Sequence, residues 1–300
     1  MKPRNSQTQP ADSAASSAPG TSQFPPGLYL VATPIGNLKD ITLRALELLA
    51  IADLILCEDT RVTAKLLSHY GISKPTLSYN DHNGEGRRPR IMEALAQGQR
   101  IALVSDAGTP LVSDPGYKLA LEVRAAGHYV TALPGASSVL TALCLSGLPT
   151  DRFFFAGFLP AKSGACKKEL AALAAIPATL VFFESARRLP DTLALMAEIL
   201  GEREATVARE LTKLFEESRT GTLADLAAHY EKEGPPKGEV VIVVGAGHAQ
   251  QELSADDISQ QLETLLLTHS VKEAAALLAQ KTGLPRKELY ALALQRKNHG

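Results

Sequence analysis

The sequence predicts an α/β protein of two domains followed by a small, purely helical module. Three observations carry that expectation. From Gly27 onward, short apolar runs alternate with longer stretches of helical period, the texture of a parallel or mostly parallel sheet with helices on its faces. A cluster of turn-forming residues, SGLPTDRF at 146–153, interrupts the alternation. After Gly247 no strand-like run remains. A chain of 300 residues, at roughly 150 residues per domain, also suggests two domains.

Residues 1–26 hold five Pro, five Ser and four Ala without periodicity. That composition cannot bury enough apolar surface to offset its ordering entropy, so a disordered tail is expected. It has no apolar stretch of the kind a secretory signal needs. The first domain is expected over 27–147, with strands LYLVAT (28–33), DLILCED (53–59), IALVSD (101–106) and HYVTALPG (128–135). Helices are expected at 41–52, with Ile41, Leu43, Leu46, Leu49 and Ala50 on one face, and at 136–145. The second domain, 148–248, has strand patterns at 153–159, 178–185, 205–210, 215–221 and 239–247, with helices near 164–175, 187–200 and 222–232. In the module at 249–300, Ser254 would cap a first helix, 271–281 makes a second, and Pro285 opens a third. With Gly283 in a turn, the spacing resembles a helix-turn-helix.

Composition narrows the function classes. With 31 basic and 32 acidic residues the chain lacks the overall basic excess typical of proteins that live on phosphate contacts. Positive charge is concentrated locally. Lys281, Arg286, Lys287, Arg296 and Lys297 face Glu288 alone in the last twenty residues, and Arg87, Arg88 and Arg90 follow the polar stretch 80–86. No apolar run approaches the roughly 18 residues that span a bilayer. The three cysteines, Cys57, Cys144 and Cys166, suit neither a disulfide framework nor a zinc knuckle, and a reducing cytoplasm is the expected compartment. No metal site is expected.

Several segments carry residues suited to chemistry. ATPIGN (32–37) joins a strand to a helix, where backbone N–H groups can receive a ligand. With Gly36 as its single glycine it is not a dinucleotide loop, and a plain turn is an open alternative. SDAGTPLVSDPG (105–116) places two Asp, two Gly and two Pro directly after a buried strand, so carboxylates and exposed backbone cluster where open α/β sheets bind ligands. It lacks the Gly-Lys-Ser/Thr of a P-loop. In LPGASS (133–138), Ser137 and Ser138 could cap a helix or touch a ligand. CEDTR (57–61) puts Glu58 and Asp59 at a strand end, either for acid/base work or for an ion pair with Arg61. YNDHNGEGRR (79–88), with His82, reads as a substrate loop or a mobile surface loop. FFESARR (182–188) and ARELTKLFEE (208–217) place Glu184, Arg187, Arg209, Glu210, Thr212 and Lys213 at strand ends of the second domain, facing a cleft or pairing on the surface.

The order TPIGN, CEDTR, SDAGTPLVSDPG, LPGASS, FFESARR, ARELTK, GEVVIVV resembles the bacterial ribosomal RNA small-subunit methyltransferase I family of the tetrapyrrole methylase superfamily, over residues 28–247. The resemblance implies two α/β domains of tetrapyrrole-methylase type with S-adenosylmethionine bound in a cleft between them, usually in a homodimer. The relatives' GxGxG loop corresponds here to Ala32, Pro34 and Gly36, and their GDP-type loop to Gly108, Thr109 and Pro110. Both departures point away from porphyrin methylation. By the same resemblance Thr33, Pro34, Asp106, Gly108, Thr109, Val112, Ser137 and Ser138 would line the cofactor pocket, with Phe183 and Ala208 from the second domain.

The implied reaction is 2′-O-methylation of a cytidine in 16S rRNA at the decoding region of the small ribosomal subunit. A ribose hydroxyl attacks the sulfonium methyl in line, which requires alignment and removal of a proton. Spacing identifies no base; Glu58, Asp59, Glu184 and Lys213 are the candidates. With 5% aromatic residues and no Trp, stacking platforms are not expected, so shape and phosphate contacts would position the RNA, aided by the basic helical tail. Two other readings remain: a small-molecule, tetrapyrrole-type methylase whose arginines meet carboxylates, and a nucleic-acid-binding regulator using the C-terminal helices.

Overall fold

The computed structural model describes residues 24–247, 255–282 and 285–299. The tail over 1–23, the Ser254 cap and the Gly283 turn lie outside the described residues. Residues 24–26 do not belong to a disordered tail. Phe24 is buried with its ring edge-on to Tyr29 at 5.9 Å, the Tyr29 hydroxyl donates to the Pro25 carbonyl, and Arg100 Nε donates to the Phe24 carbonyl at 2.8 Å.

The chain divides into two compact units, Met1–Ser137 and Ser138–Gly300. The first carries β1 (Gly27–Val31), β2 (Leu54–Cys57), β3 (Thr76–Ser78), β4 (Arg100–Val104) and β5 (Val130–Leu133). All five are parallel, in the order β3-β2-β4-β1-β5. Helices α1 (Leu43–Ile51), α2 (Thr60–His69), α3 (Gly84–Ala96) and α4 (Tyr117–Ala125) cover the sheet. Because side chains alternate along a strand, each strand serves two cores. Tyr29, Val31, Ile55, Cys57, Ala102 and Val104 pack with Leu48, Leu49, Leu66 and Leu67 of α1 and α2. Leu28, Leu56, Ile101 and Leu103 pack with Ile91, Leu95, Leu119 and Val123 of α3 and α4 on the other face.

This arrangement prepares a binding edge. The chain leaving β4 runs to α4 on one face, whereas the chains leaving its neighbours β1 and β2 run to α1 and α2 on the opposite face. Loops that part in this way open crevices at the carboxyl edge of the sheet, here on both sides of β4.

Two expectations about the first unit need correction. Leu43 is 78% exposed, and the face that α1 buries is Ala45, Leu48 and Leu49. The reason is the start of the helix: Thr42 is its N-cap, accepting from Ala45 N at 3.2 Å, so Leu43 falls at the outward-facing first position and the inward positions begin at Ala45. The polar segment at 79–88 is a loop only to Asn83, and Gly84 opens the thirteen-residue helix α3. Gly84 lets the helix start close against Tyr79, since a Cβ there would lie 3.0 Å from the buried ring. Ile91 and Leu95, one turn apart, then anchor the helix despite Pro89 within it.

The second unit holds β6 (Phe153–Phe158), β7 (Thr179–Ser185), β8 (Glu204–Arg209), β9 (Glu217–Thr222) and β10 (Glu239–Val244), in the order β6-β7-β10-β8-β9. Only β6 and β7 are parallel neighbours. Helices α5 (Ser138–Leu145), α6 (Ser163–Leu173), α7 (Leu189–Leu200) and α8 (Leu223–Glu233) accompany it, around a core that includes Phe182, Leu193, Met196 and Ile242. Sequence grouped α5 with the first domain; in the structure it packs on β10 and β7, and the division falls after Ser137 instead of after residue 147.

Three further helices, α9 (Ala255–Leu266), α10 (Val271–Thr282) and α11 (Arg286–His299), bury Leu262, Ala274, Leu278, Leu289 and Ala293 against one another. No helix among the described residues is long and apolar enough to cross a membrane.

Candidate active site

At the carboxyl edge of the parallel sheet, the loops after β1, β2, β4 and β5 are stitched together. Thr33 and Gly108 exchange both backbone hydrogen bonds, at 2.9 and 3.0 Å. The buried Thr33 hydroxyl donates to the Ser105 carbonyl at 3.0 Å, and the Ser105 hydroxyl donates to the Gly108 carbonyl at 3.0 Å. Thr109 Oγ1 donates to the Ala136 carbonyl at 3.2 Å, tying in the β5 loop. Asp106 Oδ1 accepts from Asp59 N at 3.1 Å, tying in the β2 loop. Gly135 makes close approach possible, because a Cβ there would lie 2.8 Å from Ala32 Cβ.

The loops predicted from sequence as ligand-bearing therefore meet at one edge: Thr33 and Pro34, Asp106, Gly108 and Thr109, and the β5 loop to Ser137. Gly36 and Val112 lie farther along their loops and are exposed. Ser138 is the first residue of α5 in the second unit. Phe183 and Ala208 also belong to that unit: Phe183 is half-buried between Phe155 at 4.8 Å and Phe158 at 5.4 Å, and Ala208 is fully buried on β8.

The four acid/base candidates have different surroundings. Asp59 caps α2, accepting from Arg61 N at 2.8 Å, and pairs with the Arg61 guanidinium at 2.6 Å; those bonds lower its carboxyl to about 2. Glu58 is half-buried, and burial together with Asp106, Asp81 and Asp59 raises it above the usual glutamate range. Glu184 is 3% exposed, with Oε1 accepting from Ser185 N at 2.7 Å and Oε2 from Thr192 Oγ1 at 2.7 Å, while Arg188 stands 3.4 Å away. Lys213 Nζ donates to Glu210 at 2.9 Å and to Glu239 at 3.0 Å. Glu184 and Lys213 are thus engaged within the second unit, and Glu58 is the acid that burial drives toward proton uptake.

Asp114 is the acid at this edge that sequence reasoning does not single out; the Asp-Pro-Gly triplet at 114–116 is the available signal. Burial pushes its carboxyl up to about 6, Glu58 and Asp106 add to the rise, and the Ser105 hydroxyl opposes it. Asp106 is raised too, by burial foremost. Glu58, Asp106 and Asp114 thus concentrate negative potential at the loop edge. Such an edge suits a cationic ligand better than its neutral counterpart.

A parallel five-stranded unit with stitched loops at its carboxyl edge, followed by a mixed five-stranded unit, is the architecture on which the match to the tetrapyrrole methylase class falls. Residues 27–227 match the model of the Tetrapyrrole (Corrin/Porphyrin) Methylases, and residues 252–297 match the RsmI C-terminal HTH domain. Among solved structures the fold is similar to diphthine synthase, with TM-score 0.56 at 20% identity, covering 73% of this chain and 89% of that one. It is also similar to uroporphyrin-III C-methyltransferase from Thermus thermophilus complexed with S-adenosylhomocysteine, with TM-score 0.52 at 22% identity, covering 73% and 97%. At these identities the likeness is one of fold.

Two relatives are much nearer in sequence, and both are named ribosomal RNA small subunit methyltransferase I. The Mesorhizobium japonicum protein is 53% identical over 274 residues, covering 91% of this chain and 93% of its own. The Escherichia coli O157:H7 protein is 46% identical over 272 residues, covering 90% and 95%. The chain belongs to the ribosomal RNA small subunit methyltransferase I family.

The raised Asp114 carboxyl sets a stability test. A folded-state value of about 6 against an ordinary 3.8 means that the charged form is penalised in the fold, so the penalty is absent below 3.8 and complete once pH has risen through 6. Asp114→Asn should melt at a higher temperature than wild type at pH 8, with the difference fading as pH falls through 6. Equal melting curves at pH 8 would show that the carboxylate is not penalised.

Proposed function

We propose that this protein transfers a methyl group from S-adenosylmethionine to the 2′-oxygen of a cytidine in 16S rRNA, near the decoding centre of the small ribosomal subunit. The observation that carries the proposal is the 53% identity, over nine-tenths of the chain, to a relative named ribosomal RNA small subunit methyltransferase I. The motif order over 28–247 supports the finer choice of cytidine and ribose oxygen. The protein acts as a homodimer in the cytoplasm, a compartment supported by three free cysteines.

When bound, S-adenosylmethionine supplies an electrophilic methyl on a sulfonium. The residues present fit such a cofactor: a close-set backbone edge at Thr33, Gly108 and Gly135 would receive it, and Asp106 with its acidic neighbours favours a cation over the neutral product. Thr33, Pro34, Gly36, Asp106, Gly108, Thr109, Val112 and Ser137 of the first unit would hold it. The fixed loops align the acceptor, and alignment is a large part of methyl transfer. Glu58 is the residue that takes the proton from the attacking hydroxyl, since its raised carboxyl is better matched to that task than the salt-bridged Asp59. Arg286 and Lys287, exposed at the start of α11, fit a role for the helical module in gripping RNA phosphates.

Labelled methyl from S-adenosylmethionine should enter small subunits lacking the modification at a single alkali-resistant cytidine linkage. Label in a base, in another nucleotide or in no RNA contradicts the proposal. Glu58→Gln should lower kcat by roughly 10²-fold or more, a loss far larger than any accompanying loss of cofactor affinity. Unchanged turnover would mean that alignment alone drives the step.

A further inference from the structure

The 105–116 segment has a crevice on each side, and only one is accounted for by the Thr33–Gly108 stitch. On the other side, toward β2 and β3, the turn after β3 and the start of α4 enclose a depression of about 320 Å³. That volume lies at the lower end of the ~300–1,000 Å³ range of ligand pockets and suits a single nucleoside. Buried Tyr79 lines it. Arg88, held by Glu122 Oε2 at 2.9 Å, forms part of its wall. Asp114, Tyr117 and Lys118 complete the lining relevant to recognition.

These groups have a consistent chemical meaning. Tyr117, at the first position of α4, is 68% exposed although the buried positions of that helix are closely packed. An exposed ring beside a polar depression is a stacking surface for an unstacked base. Lys118 is exposed at the same place and offers charge for a phosphate. Asp114 offers an acceptor. Cytosine presents an exocyclic amine where uracil presents a carbonyl oxygen, so an aspartate accepts a hydrogen bond from the first and repels the second.

We propose that this depression is the pocket of the target base, with Tyr117 stacking on the cytosine and Asp114 accepting from its exocyclic amine. The inference rests on the reading of the substrate as a cytidine in RNA. It places base and cofactor on opposite sides of one loop, so the 105–116 segment aligns both. Burial raises Asp114 to about 6, Glu58 and Asp106 add to the rise and the Ser105 hydroxyl opposes it; a carboxylate with that one side-chain donor has lone pairs left for another. The proposal gives the exposed Tyr117 ring a stacking role that composition alone does not suggest.

The test compares small subunits carrying either cytidine or uridine at the methylated position. Wild type should show kcat/KM at least about tenfold higher for cytidine. In Asp114→Asn the amide can turn its N–H toward uracil O4, so the ratio should fall toward one. Titration with S-adenosylmethionine should show affinity weakened by no more than a few-fold, because Glu58 and Asp106 keep their charges. Tyr117→Ala should raise KM for subunits with kcat largely kept, and Tyr117→Phe should restore it. An unchanged cytidine preference in Asp114→Asn, loss of its cofactor binding, or an unchanged KM in Tyr117→Ala overturns the pocket while leaving the methylation activity standing. Failure of wild type to label a cytidine at all overturns the proposed function and this pocket with it.

Discussion

The first unit depends on the pair of backbone hydrogen bonds between Thr33 and Gly108. Parallel strands deliver their loops to a common edge, but nothing in the sheet itself fixes those loops relative to each other. The bridge does so, and the hydroxyls of Thr33, Ser105 and Thr109 extend it to carbonyls on the β4 and β5 loops. Buried hydroxyl donors need acceptors, so each is satisfied only while the loops stay in place. A rigid edge of this kind is what methyl transfer requires, since the reaction needs two groups aligned within a fraction of an ångström more than it needs reactive side chains.

Charge completes the picture. Glu58, Asp106 and Asp114 are held at one edge with few cations to neutralise them; the exposed Arg61 is taken by Asp59 and Arg88 by Glu122. The second unit handles its charges differently. Glu184 is enclosed by Ser185, Thr192 and Arg188, and Lys213 closes a three-way pair with Glu210 and Glu239. Those groups hold the turns after β7 and β8, while the under-compensated acids lie in the first unit. This division separates structural charge from charge available to a ligand.

Much of the fold was legible because strands buried on both faces read as continuous apolar runs, as in IALV of the parallel β4 and VVIVV of the antiparallel β10. The ligand loops were legible because Pro, Gly and Asp gather where backbone must be held close. The helix α3 was not, since Gly84, Gly86 and Pro89 mask its start and its moment comes from Ile91 and Leu95 late in the helix. The face of α1 was misplaced because Leu43 looks like a core residue until the Thr42 cap sets the phase. Asp114 was hidden by its setting: in sequence it is one acid of a turn, and only the sheet brings Glu58, from a distant strand, close enough to raise it. Helix α5 was grouped with the wrong sheet because chain order says nothing about which sheet a boundary helix covers.

The central claim is that the stitched edge of the first unit receives S-adenosylmethionine. Amide hydrogen exchange of the full chain with and without S-adenosylhomocysteine tests it most directly, because protection reports on the backbone itself. The account predicts slowed exchange concentrated in 32–37, 105–112 and 135–138. Protection confined to other segments, with those three unchanged at saturating ligand, would contradict it.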